Sequence, residues 1–157
     1  MVWGNVVGPI GAPQGTQGDE MEHFKAGARP TGLASANYFT GTVLMEPIVE
    51  APEPARLRAL RVTFAPGART NWHTHPLGQT LYVVSGVGRY QTDGQPPVEI
   101  RAGDTIWIPP GERHWHGAAP DTAMCHIAMQ EALNGSHSDW QEPVSDADFA
   151  APVQQDV

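Results

Sequence analysis

Two short units of the same design, His73-Thr74-His75 and His114-Trp115-His116, constrain this chain more than any other feature of it. Alternate residues of a β-strand face the same side of a sheet, so each pair of imidazoles points one way. In both units a Gly- and Pro-containing turn joins the histidines to an apolar run. Pro76, Leu77 and Gly78 lead into Leu81 and Val83; Pro109, Pro110 and Gly111 follow Ile106 and Ile108. The first turn also brings Gln79 back beside its histidines. A lone His-x-His is more commonly a surface pair than a metal site. Two of them, each tied by a tight turn to a strand, make a metal site the stronger reading.

The rest of the chain reads as all-β. It carries 17 Gly and 15 Pro between short β-prone runs, and no helical period is sustained. The expected strands are Tyr38 to Met45, Leu57 to Phe64, Thr70 to Thr74, Thr80 to Ser85, Gly88 to Thr92, Val98 to Arg101, Thr105 to Ile108, Arg113 to His116 and Thr122 to Gln130. Asp93-Gly94 marks a hairpin. Ile48 to Ala55, among Pro47, Pro52 and Pro54, reads as a connecting loop. Ser145 to Ala150 reads as a short helix capped by Ser145 or Asp146.

A length of 157 residues accommodates one domain with a core of two packed sheets. Residues 1–18 carry no charge, and Met21-Glu22-His23-Phe24-Lys25 resembles a protein start. The expectation is a flexible arm over 1–20, a domain over 21–150 and a loose tail over 151–157. The start lacks the basic and apolar regions of a signal peptide, and no run approaches the ~20 apolar residues of a membrane helix. With 9 Lys and Arg against a net charge of −8, the chain has no footprint for a phosphate backbone, so nucleic acid is not an expected partner. The single cysteine, Cys125, excludes an intrachain disulfide and fits a reducing, cytoplasmic compartment as a small buried apolar residue.

The two stretches resemble the paired cupin motifs, through Gly67, His73, His75 and Gly86 in the first and Gly103, Pro109, Gly111 and His114 in the second. Within cupins the chain is similar to the small single-domain subgroup that includes the manganese-dependent hydroxynitrile lyases of bacteria. The residues that carry this likeness are Asn37 to Val43, Pro66 to Thr70, Trp72 to Thr80, His114 to Pro120 and Ala123-Met124, within a span from about Met21 to about Phe149. The subgroup also holds many proteins of unassigned role. The resemblance implies a jelly-roll barrel and a divalent metal held by His73, His75, Gln79 and His114. Three imidazoles and a carboxamide suit Mn, Fe, Co, Ni or Zn better than Mg or Ca, which prefer oxygen ligands; a closed structural zinc site is the alternative use of the same residues.

Gln79 departs from the Glu that is commonest in cupins. A neutral amide leaves the full charge on the ion, which strengthens it as a Lewis acid and favours redox-neutral chemistry; the plainer alternative is a hydrogen bond within the barrel. His116 and His126 lie outside the implied ligand set and are candidate proton carriers, or else they orient ligands or are satisfied core residues. His126, Ala128 and Gln130 share one strand face. Leu60, Val62 and Phe64 share another and Leu81 and Val83 a third, so these sets are candidate walls for a small substrate. His23 and His137 are expected at the surface.

These readings combine into a metal-dependent lyase of the hydroxynitrile type, manganese being the first choice of metal. His126 or His116 is its base, and Leu60, Val62, Phe64, Leu81 and Gln130 contact the small-molecule substrate. A cupin dioxygenase, a sugar-acid isomerase and a non-catalytic small-molecule-binding module are the alternatives. The apolar outward positions Tyr82 and Val84 and the Trp107 or Trp115 region point to a homodimer or higher homo-oligomer.

Overall fold

The computed structural model describes residues 20–154. Its twelve strands are β1 (Gly32–Leu33), β2 (Phe39–Thr40), β3 (Val43–Glu50), β4 (Leu57–Phe64), β5 (Arg69–Thr70), β6 (His73–Thr74), β7 (Gln79–Thr92), β8 (Val98–Arg101), β9 (Thr105–Ile108), β10 (His114–Ala118), β11 (Met124–Glu131) and β12 (Asp139–Trp140), followed by the helix α1 (Asp146–Ala150). All pairings are antiparallel, and the sheet order β1-β3-β4-β11-β7-β10-β5-β2 curls the strands into a jelly-roll barrel. The β7–β8 hairpin forms around Asp93-Gly94 as its dipeptide predicts.

Strand β7 does most to close the barrel. Its first half, Gln79 to Gly86, pairs with β11, and its second half, Gly88 to Thr92, pairs with β10. The sequence suggests two strands here; the structure has one, bent as it passes from one half of the barrel to the other. Gly86 makes the bend: it has φ +80°, and a Cβ on it would lie 1.9 Å from Ala123 O. The alternating residues of β4, β7 and β11 then meet inside. Val43, Met45, Val62, Phe64, Val83, Ile100 and Met124 form the main core.

Four further expectations change. The Thr70 to Thr74 run is two short strands, β5 and β6, because between them Asn71 N donates to Tyr38 O and Trp72 N to Glu142 O. The Tyr38 to Met45 run is not one strand, because Gly41 at φ +80° turns the chain between β2 and β3. The Ile48 to Ala55 loop begins only after Glu50, since β3 continues through Pro47 by a register shift between Pro47 and Val49. Pro47 is tolerated because β1 pairs only with Leu44 and Met45, which leaves the edge open beyond them. Trp115 is not an outward residue needing a partner chain. It is fully buried with Trp72, Val144 and Phe149, and its indole Nε1–H donates to Gln91 Oε1 at 2.7 Å.

The cover over Trp115 is α1, capped by Ser145, whose Oγ accepts from Asp148 N at 3.0 Å. Arg69 is buried beneath it, donating to Val144 O and Asp146 Oδ1 and lying over the Phe149 ring. Beyond the helix, Gln154 N donates to Pro97 O at 2.7 Å, which ties down the tail as far as that residue. The arm expected over 1–20 lies, save for Glu20, outside the described residues, as do 155–157.

Candidate metal centre and cavity

His73 and His114 are direct cross-strand partners on β6 and β10, so their rings fall on one face with centroids 4.2 Å apart. His75, two residues further on, lies 4.9 Å from the His73 ring and 5.4 Å from the His114 ring. The two turns are stitched together, since Gly111 N donates to His75 O at 2.9 Å. Gln79 then opens β7. The turn before it needs Gly78, which has φ +79° and would place a Cβ 2.6 Å from the Trp107 ring and 2.7 Å from Ile108 O.

The hydrogen bonds of these rings decide their tautomers. Nδ1 faces a backbone carbonyl in all three: Asn71 O at 2.9 Å for His73, His137 O at 2.6 Å for His75 and Glu112 O at 2.8 Å for His114. A carbonyl only accepts, so the ring proton belongs on Nδ1 and the lone pair on Nε2. The Nε2 atoms of His75 and His114 are buried with no protein partner. Gln79 matches them: its Nε2 donates to Gln130 Oε1 at 3.0 Å, and its Oε1 is buried without a donor.

Acceptors left unpaired in a dry interior cost about 1–3 kcal/mol each. Several of them gathered here fit a bound cation, and the nitrogen-rich set fits a transition ion better than Mg or Ca. The ring nitrogens of His73, His114 and His116 also lie within 4.8 Å of one another. His116 differs from the other rings, because its Nδ1 faces His126 Nε2 at 3.0 Å instead of a carbonyl. His116 Nε2 and His126 Nδ1 have no protein partner.

Burial holds all these imidazoles neutral. Desolvation is the leading cause in each case: His114 and His126 are lowered from 6.5 to about 4, and His73 and His116 fall well below 6.5, with their histidine neighbours adding to the shift. His75 is lowered as well, its hydrogen bond to His137 O and the neighbouring Gln79 side chain opposing the desolvation. A neutral ring is the form that can bind a cation or accept a proton.

A small cavity adjoins these groups. Leu60, Val62, Phe64, Gln130, His116 and His126 all line it, together with His73, His75 and Gln79. Leu81 does not. It is fully buried, but it packs on Ile108 and Ala128 in a separate cluster. His23 is exposed as expected, whereas His137 is buried and its carbonyl orients His75.

His137 belongs to a segment that sequence reasoning passed over. After the Asn134-Gly135 turn the chain runs back across the barrel, where β12 pairs with β6 and places Trp140 opposite His73, ring centroids 4.6 Å apart. Ser138 and Trp140 from this segment line the cavity, as do Phe39, Met45 and Thr70 from the N-terminal half. The Asn-Gly pair, a strong turn signal, is the one local clue to it.

Residues 60–129 match the family model described as the cupin domain. The chain is 52% identical to a curated (R)-mandelonitrile lyase from Granulicella tundricola, over 82% of this chain and 98% of that protein. Among solved structures it is similar to a cupin-like protein from Thermotoga maritima, with a TM-score of 0.70, 35% identity and coverage of 82% of this chain and 95% of the other. The polyketide cyclase RemF from Streptomyces resistomycificus shares the fold at a TM-score of 0.67 and 17% identity, covering 83% of this chain and 90% of its own. The chain belongs to the cupin family. The Ser138 to Trp140 wall of the cavity lies beyond the part of the chain that the family model matches.

Proposed function

We propose that this cupin is a metal-dependent lyase of the hydroxynitrile type, cleaving a cyanohydrin to an aldehyde and cyanide and running the reverse addition. The structural observation that carries this reading is the cavity in which aimed, unpaired lone pairs stand beside a neutral imidazole pair. The 52% identity to the mandelonitrile lyase supports it. His73, His75 and His114 through Nε2, and Gln79 through Oε1, would hold the ion, with manganese preferred and Fe, Co, Ni or Zn as the other candidates. When bound, the ion supplies Lewis acidity that lowers the pKa of the substrate hydroxyl.

The reaction then needs a group to accept the hydroxyl proton as the carbon–cyanide bond breaks and its electron pair leaves with cyanide. The His116–His126 pair fills that role. A proton accepted by either ring is shared across the 3.0 Å contact between Nε2 of His126 and Nδ1 of His116. Burial lowers the His126 pKa to about 4, which keeps the ring unprotonated at neutral pH and makes its conjugate acid a strong donor to cyanide. Leu60, Val62 and Phe64 supply an apolar wall that excludes water from the reacting carbon.

Two wider readings accompany this one. Tyr82, Val84 and Trp107 are exposed on neighbouring strands of one face, which supports a homodimer built on that face. The lone, buried Cys125 supports a reducing, cytoplasmic setting; no helix among the described residues is long and apolar enough to cross a membrane.

The test is cyanide release from (R)-mandelonitrile by protein stripped of metal and by the same protein reloaded with manganese. Release by the reloaded protein alone supports the reading. Release no faster than from a metal-only control rejects it, and oxygen uptake by the iron-loaded protein would then point to a dioxygenase.

A further inference from the structure

The choice of a carboxamide at position 79 creates a problem that a carboxylate would not have. The two ends of a Gln side chain have nearly the same shape and opposite chemistry: the oxygen carries lone pairs and the nitrogen carries two N–H donors. Only the oxygen end can face a cation. An amide that turned over by half a rotation would fill the same space and present the wrong end.

Gln130 answers that problem. It sits directly opposite Gln79 in the β7–β11 ladder, and both side chains are buried. Gln130 Oε1 accepts from Gln79 Nε2 at 3.0 Å, which engages the nitrogen end. Gln79 also neighbours the His75 ring, but with the His75 proton on Nδ1 the ring has no other N–H to give, and Gln79 Oε1 is left without a donor. The opposite flank offers nothing comparable, because the β9 residue paired with Gln79 is the apolar Ile108. We infer that Gln130 is a positioning residue that fixes the Gln79 carboxamide with its oxygen towards the metal. This rests on the reading that Gln79 is a ligand. Gln130 therefore acts on metal affinity through Gln79, besides lining the cavity.

A double-mutant cycle read by manganese affinity tests this, with metal-free protein titrated against a competing chelator. Gln130→Met and Gln130→Leu, which remove the acceptor and keep the bulk, should each weaken manganese binding by ~10- to 100-fold, the usual effect of losing the partner that orients a ligand. Gln130→Glu, an acceptor that cannot reverse, should bind manganese at least as tightly as wild type. In a Gln79→Glu background either face of the side chain offers an oxygen, so Gln130→Met should there cost less than ~3-fold.

Equal losses in the two backgrounds, in proteins whose metal-free melting curves match, would show that Gln130 only packs and would overturn the inference. No loss in either background would overturn it too. Wild-type protein that takes up no manganese, or Gln79→Ala with unchanged affinity, would instead overturn the assignment of Gln79 as a ligand.

Discussion

Replacing His126 with Leu should flatten the acid side of the stability curve of the metal-free protein. His126 is fully buried against Phe64, ring centroids 5.3 Å apart, and burial lowers its pKa from 6.5 to about 4. Above about pH 6.5 the ring is neutral whether the chain is folded or not, so its burial then carries no protonation cost. As the pH falls through the window from about 6.5 to about 4, the unfolded chain takes up a proton that the folded one refuses, and stability is lost. At about 1.4 kcal/mol per pH unit, His126 alone removes about 3 kcal/mol across that window. His114, also lowered to about 4, acts in the same direction. Chemical denaturation in chelator at a series of pH values should show stability falling towards acid in the wild type, with a slope about 1.4 kcal/mol per unit smaller in His126→Leu. Identical slopes would refute the claim that the fold holds this ring neutral by burial.

The same residue separates metal binding from catalysis: His126→Ala should retain manganese by elemental analysis while cyanide release falls ~10²- to 10⁴-fold, the usual worth of a positioned acid–base group. Gln79→Glu should also retain the metal, yet turn over more slowly under saturating substrate, because an anionic ligand weakens the Lewis acid. If the exposed Tyr82, Val84 and Trp107 face is a dimer interface, light scattering at micromolar protein should give twice the chain mass, and Trp107→Glu should shift it towards the monomer. A wild-type monomer would remove that assignment.

Much of this architecture was legible because it depends on short-range rules. The alternation in Leu60, Val62 and Phe64 places all three on the cavity wall, and the spacing of the two His-x-His units, read through the cupin likeness, brings His73, His75, Gln79 and His114 together. Parity has limits, however. Leu81 has the same inward parity as Gln79, but the pattern does not reveal that Ile108 and Ala128 pack against it. The bend at Gly86 shows in the sequence only as a glycine between two β-prone runs, because only the partners β11 and β10 show that pairing continues on both sides. His137 and Trp140 were hidden for a different reason. Their segment has no long alternating run, and β12, two residues long, exists only because β6 is there to pair with it. The carbonyl of His137 orients His75, a contact between residues 62 positions apart that no local pattern encodes. The tautomers also escaped the sequence, since backbone carbonyls set them.

The most direct test of the metal centre is the transition-metal content of protein purified without chelator, measured by elemental analysis beside His73→Ala and His114→Ala. With Nδ1 of each ring facing a backbone carbonyl, Nε2 is the nitrogen that carries the lone pair. Wild type should therefore carry close to one divalent transition ion per chain, and each variant should lose most of it while remaining folded. Wild type without metal that takes none up on titration, or variants with full occupancy, would contradict the account.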